Sequence, residues 1–168
     1  MAADGQSRHY ELTQSDNLDN KRGKGTSKLE RASDHFFKDG LGQEFTDTWY
    51  LPPGEQTSRT FIDNLIQIQR DTKIHHATGH LLPYGDSIEL WDLTENRSVL
   101  KLVNQSETEG KSQVPSFSSE EGLPIFKDHH YELIARYTNT SKKTRKAAAI
   151  LMLYLGDKEF HEKNSLPY

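Results

Sequence analysis

DTKIHHATGHLLPYGDSIELWDL, residues Asp71 to Leu93, is the stretch that decides how this chain folds. Thr72 to Leu82 reads as a strand. Pro83-Tyr84-Gly85-Asp86 is a turn, because proline and glycine punctuate regular structure there. Ser87 to Leu93 reads as a second strand. His75, His76 and His80 lie within six residues of the first one. Neutral imidazole is the commonest metal-ligating side chain, so a histidine-bearing strand is raw material for a metal site.

Outward from this stretch the same texture continues. Ser98 to Val103 is a strand, joined to the one before it by a hairpin loop, Thr94-Glu95-Asn96-Arg97. On the other side, Gln56 to Ile62 is a strand and Asp63 to Gln69 is ambiguous. Phe45 to Leu51 alternates, and Pro52-Pro53-Gly54 ends it. Further on, Asn104 to Glu121 is a long polar loop and Gly122 to Phe126 a short edge segment. His130 to Tyr137 is a strand with Tyr131, Leu133, Ala135 and Tyr137 on one face. A basic turn, Thr138 to Lys146, leads to Ala147 to Leu155. That nearly all-apolar run is strand-sized; helix competes there because alanine favours it. Many short strands at regular spacing predict an all-β chain, an antiparallel β-sandwich or jelly roll with a polar N-terminal arm. The expected core includes Trp49, Ile88, Leu90, Leu100, Leu133, Ile150 and Leu153.

The organisation expected is an arm over 1–44, a sandwich over 45–160 and a tail over 161–168. In the arm, Arg8 to Thr13 has the pattern of a strand that adds to this sandwich or to a partner's. Gln14 to Lys28 is charged and has little to bury. Leu29 to Phe37 has room for a helical turn or two.

Composition narrows the function classes. The chain has 168 residues, a net charge of -4 and no cysteine. Disulfides, thiolate metal sites and cysteine nucleophiles are therefore excluded. The charge balance supplies no argument for nucleic acid. No apolar run has the length of a membrane span. The start lacks a basic and an apolar region, so no signal peptide is expected in this chain. There is no dinucleotide fingerprint, phosphate-cradling loop or nucleophile elbow. Asp86, Glu89 and Asp92 are expected to be solvated, as is the tip Lys142-Lys143-Thr144-Arg145-Lys146, with a basic docking patch as the alternative reading.

The histidines remain. His129-His130 opens the later strand, so five of eight histidines lie in two strand segments. In a straight strand His76 and His80 share a face but stand roughly 13 Å apart, too far to chelate one ion directly. Two arrangements would bring ligands together. A bulge at Ala77-Thr78-Gly79 would move His75 to the side of His80. Alternatively, His129 or His130 reaches across from a neighbouring strand. The other reading is ordinary surface and core histidines.

Four blocks carry a likeness to a known family: TWYLPPG (Thr48 to Gly54), DTKIHHATGHLLPYGDSIELWDLT (Asp71 to Thr94), FSSEEGLPIFKDHHYELIARYTNTS (Phe117 to Ser141) and AILMLYLGDKEF (Ala149 to Phe160). The chain resembles the C-terminal domain of the copper type II, ascorbate-dependent monooxygenases, in a bacterial branch, over about two thirds of its length. The resemblance implies a jelly-roll-like sandwich. It also implies one copper held by a His-x-His pair on one strand and a methionine on a later one. Thioether suits Cu(I). At those positions this chain has His80, Leu82 and Ala147 or Ala148; Met152, its only internal methionine, comes later. The bacterial branch often has histidine at the positions of His75 and His129. The resemblance further implies a periplasmic or secreted location.

The expectations are therefore a histidine-based metal site, copper or alternatively zinc. Its ligands are drawn from His80 first, then His75 and His129, then His76 and His130. Peptide-type monooxygenase activity is not expected from this chain alone, since the matched ligand set is broken. A looser copper-dependent oxidative enzyme and a metal-free interaction module are the alternatives. Any protein partner or second copy would use the N-terminal arm or the loop 104–121.

Overall fold

A computed structural model of the chain describes residues 8–13, 36–38, 44–46, 48–63, 65–66, 68–106, 108 and 114–156. The described residues form twelve strands: β1 (Arg8–Thr13), β2 (Phe36–Lys38), β3 (Glu44–Thr46), β4 (Trp49–Leu51), β5 (Gly54–Phe61), β6 (Thr72–Leu81), β7 (Gly85–Asp92), β8 (Arg97–Val103), β9 (Phe117–Ile125), β10 (Tyr131–Asn139), β11 (Arg145–Ala147) and β12 (Ala149–Leu155). Among the described residues there is no helix, and none long and apolar enough to cross a membrane. One sheet has the order β1-β12-β6-β9 and the other β5-β10-β7-β8, with two-stranded ribbons β11-β4 and β2-β3. Every pairing is antiparallel. The two four-stranded sheets pack as the expected sandwich.

Alternation in the sequence sets which faces meet. Ile88 and Leu90 of β7, Leu100 and Leu102 of β8, and Leu133, Ala135 and Tyr137 of β10 are buried from one sheet. Ile74, Ala77 and Leu81 of β6, with Leu151 and Leu153 of β12, are buried from the other. Trp49 fills the space between them, edge-on to the Tyr137 ring at 5.7 Å. The Tyr137 hydroxyl donates to the Ala148 carbonyl, and burial pushes that phenol well above its usual range. Burying side chains of this size contributes about 1.5–3 kcal/mol each.

Several expectations are corrected. Ile150 is only half-buried, because the inward positions of β12 are Ala149, Leu151 and Leu153, and Ile150 has the opposite parity. The apolar run 147–155 is broken in two: β11 pairs with β4, and β12 pairs with β6 and β1. Phe45 to Leu51 is likewise divided, between β3 and β4. The polar loop 104–121 is shorter than expected, since β9 already begins at Phe117. Phe36 and Phe37 belong to strand β2 instead of a helical turn. Residues 14–28 of the arm and the tail 161–168 lie outside the described residues. The arm's first segment does add a strand: β1 pairs with β12, from Arg8 opposite Leu155 to Thr13 opposite Ile150.

The turn at 83–86 does not make a hairpin. It carries the chain from β6 in one sheet to β7 in the other, with Tyr84 at φ 74° and the Gly85 N–H donating to the Leu82 carbonyl. The loop 93–96 is a hairpin within one sheet, closed by Asn96 at φ 50°.

Candidate functional site

The structure separates the five histidines into three places. His75 is a bulge in β6. Its neighbours Ile74 and His76 pair with consecutive residues of β12, Leu155 and Tyr154. Opposite the same gap, β9 runs from Leu123 to Ser118, so four residues pass where β6 has one. Those residues cup the imidazole, whose Nδ1 donates to the Ser119 carbonyl at 3.1 Å. A Cβ on Gly122 would lie 3.0 Å from the ring, and one on Gly156 would lie 2.8 Å from Nε2. Gly122 also has φ +69°, a conformation glycine takes at little cost. The bulge thus sits at His75 itself, not at Ala77-Thr78-Gly79. It spends this side chain on closing the sheet.

His76 and His80 lie on the outer face of β6. The His76 ring contacts Tyr154, its neighbour across β12, at 5.2 Å. His80 is exposed and pairs in register with Ile150. Met152 sits opposite Thr78, on the same face and between the two histidines. Parity counting along one strand cannot reveal that placement; the register between β12 and β6 creates it. The positions that the family resemblance assigns to copper do not fit one ion. His80 is exposed, Leu82 is half-buried and carries no donor, and Ala147 and Ala148 are buried methyl groups.

His129 and His130 lie where the chain enters β10, at one end of the sandwich. The His129 Nδ1 donates to Asp92 Oδ2 at 2.7 Å. The Asp92 side chain is 0% exposed and ends β7. Its Oδ1 accepts the backbone N–H groups of Thr94 at 2.9 Å and Glu95 at 3.0 Å. Burial alone would push this carboxyl up; the His129 bond and charge and the two N–H bonds outweigh it and hold the carboxyl below its usual value. The His130 Nδ1 donates to Asp63 Oδ2 at 2.5 Å, and Asp63 Oδ1 accepts the Tyr131 N–H at 2.8 Å. Because a carboxylate only accepts, each Nδ1 carries a proton, and the neutral form of each ring has its lone pair on Nε2.

Both rings line one cleft of about 380 Å³. Ile62, Ile66 and Ile68 form its apolar side, and Lys127, Asp128 and Asp63 add charged groups. Its volume lies at the small end of the range for ligand sites, and its lining is more polar than the apolar walls such sites usually have. Among the described residues, no three His, Asp or Glu side chains are grouped to hold a metal ion.

Two carboxylates were not visible in the sequence as site residues. Asp63 is 67 residues from His130, and nothing local marks it. Asp92 was expected in solvent with Glu89, yet both are buried. Glu89 accepts from Arg136 Nη1 at 2.6 Å and is 3% exposed. Burial pushes its carboxyl up, but bonds from Ser98 and Arg136 and the nearby charge hold it below its usual value. Asp86 is exposed, as expected.

No protein-family model, curated protein or solved structure compared with the chain matches it.

Proposed function

We propose that this chain is an imidazole-based metal-binding sandwich, taking copper or zinc at the turn before β10. The observation that supports the reading is the pair of carboxylate-anchored imidazoles, His129 on Asp92 and His130 on Asp63, at one cleft. Histidines that ligate metals almost always give their other ring nitrogen to a carboxylate, a carbonyl or water. The carboxylate fixes the tautomer and makes Nε2 more basic. Here both anchors are held by further bonds: Asp92 by the 94–95 turn and Asp63 by the start of β10. His129 and His130 would hold the ion, with water completing its shell. A bound Cu(II) or Zn(II) supplies Lewis acidity at that point. The chain's own residues keep the two Nε2 lone pairs fixed and give the cleft an apolar wall. This reading moves the ligands from His80, the first choice from sequence, to the second histidine pair. The kinship with copper monooxygenase domains remains part of the proposal for the fold, and oxidative catalysis does not.

One feature favours a second reading, a metal-free protein-docking end. Phe61 and Leu93 are 37% and 42% exposed. Phe61 meets the His130 ring at 6.1 Å, and the Leu93 N–H donates to the His130 carbonyl.

Metal analysis and Cu(II) and Zn(II) titration separate the two. The expected result is one ion per chain in the wild type. Affinity should fall at least about tenfold in His129→Ala/His130→Ala and in Asp63→Asn, as loss of a ligand or its anchor does elsewhere. His80→Ala should leave affinity unchanged. No stoichiometric ion, or an equal loss in His80→Ala, overturns the metal site and leaves the docking reading.

A further inference from the structure

The far end of β10 carries a different chemistry. Residues 140–146 read TSKKTRK, in a chain whose net charge is -4. Lys142, Lys143, Arg145 and Lys146 are all exposed. Among the described residues none of them forms an ion pair, and Asp86 at this end is engaged by the Thr138 hydroxyl at 2.6 Å. The loop is nevertheless built rigidly. Asn139, 2% exposed, donates from Nδ2 to the carbonyls of Leu51 and Lys143, at 2.9 Å each. Its Oδ1 accepts from the N–H and the hydroxyl of Ser141. The Ser141 Oγ also lies 3.0 Å from the Lys143 carbonyl, so its one proton is shared between two acceptors, and it accepts from the Arg145 Nε. Arg145 lies 6.0 Å from the Tyr84 ring centroid. In the β11–β4 ribbon, Tyr50 sits opposite Lys146 and is 38% exposed.

The buried amide and the serine fix the shape in which this turn presents its cations. We propose that this tip docks end-on to an anionic lipid surface, with the lysines and arginine on headgroup phosphates and Tyr50 at the interface. Each Lys or Arg held near an anionic lipid surface adds about 1 kcal/mol of attraction, and tyrosine favours the membrane–water boundary. Preorganisation lowers the ordering cost of engaging several headgroups at once. An end-on approach also suits the overall charge. The exposed carboxylates beside this tip, Asp86 and Glu55, are outnumbered by Lys142, Lys143, Arg145 and Lys146. This inference is independent of the metal proposal.

The test is sedimentation of the full chain with sucrose-loaded vesicles in EDTA. One set is phosphatidylcholine; the other includes a third of phosphatidylglycerol. Binding is expected only to the anionic vesicles, and high salt should abolish it. Lys142→Glu/Lys143→Glu should weaken the partition coefficient at least about tenfold. Lys142→Gln/Lys143→Gln should weaken it less, with an unchanged far-UV spectrum in both. Equal binding to both vesicle types, no binding to either, or full binding by the charge-reversed variant overturns the proposal. So does capture by polyglutamate or an oligonucleotide without vesicle binding.

Discussion

The two ends of β10 are each tied down by one buried polar side chain, Asp92 beside its start and Asn139 at its finish. Both accept backbone N–H groups of a following turn, and both reach a second element. The chemistry differs. Asp92 keeps a charge in a fully buried position and depends on His129, two N–H groups and its depressed protonation equilibrium. Asn139 reaches the same end with a neutral amide that binds Leu51, Ser141 and Lys143. One knot is pH-sensitive and braces a cleft; the other is indifferent to pH and braces a charged tip. A fold can close equivalent ends with or without a titratable group, and the choice decides what each end can sense.

The sharpest way to break this comparison is to cut both knots. Asp92→Ala and Asn139→Ala should each cost about 3 kcal/mol, since each leaves buried partners unpaired. Urea denaturation at neutral pH measures it. A loss below about 1 kcal/mol in either would mean that water replaces that knot.

Acid should separate them next. A carboxylate whose folded protonation equilibrium is depressed contributes stability above its unfolded value, about 3.9 for Asp. That stability is lost as pH falls through the lower, folded value. Asp92 and Glu89 both behave this way. Stability should therefore fall on acidification below about pH 4 in the wild type, and less steeply in Asp92→Asn. Asn139→Ala should keep the wild-type slope from a lower starting point. Parallel slopes in wild type and Asp92→Asn would remove the contrast.

The smallest effects belong to the hydroxyls that flank each knot. Thr94 accepts the His130 N–H, and Ser141 links Asn139 to the tip. Thr94→Ala and Ser141→Ala should each cost about 1 kcal/mol or less, because water reaches both sites. Thermal melts of the two variants should shift by similar amounts; a much larger shift in Ser141→Ala would place the tip's order in that hydroxyl instead of in Asn139.

The strands themselves were legible. Alternation in Tyr131, Leu133, Ala135 and Tyr137 marks one buried face, and all four are buried. The hairpin at 94–97 follows from turn residues between two strand patterns. Ile150 was misplaced because an all-apolar run carries no parity signal. The histidine pairs could not be told apart for a related reason. His75-His76 and His129-His130 look alike as dipeptides, yet a bulge and two close glycines occupy His75 with packing, while two aspartates anchor the second pair.

What the residues alone determine here is periodic and local: an all-β chain, its turns, the lack of thiol chemistry, the basic run at 142–146. What only the tertiary structure decides is long-range. It sends the 83–86 turn between sheets, sets Met152 on the face of His76 and His80, and brings Asp63 to His130 across 67 residues. Strand propensity acts over neighbouring residues, whereas register and sheet order depend on which hydrophobic faces bury one another, and that choice is made by the whole chain at once.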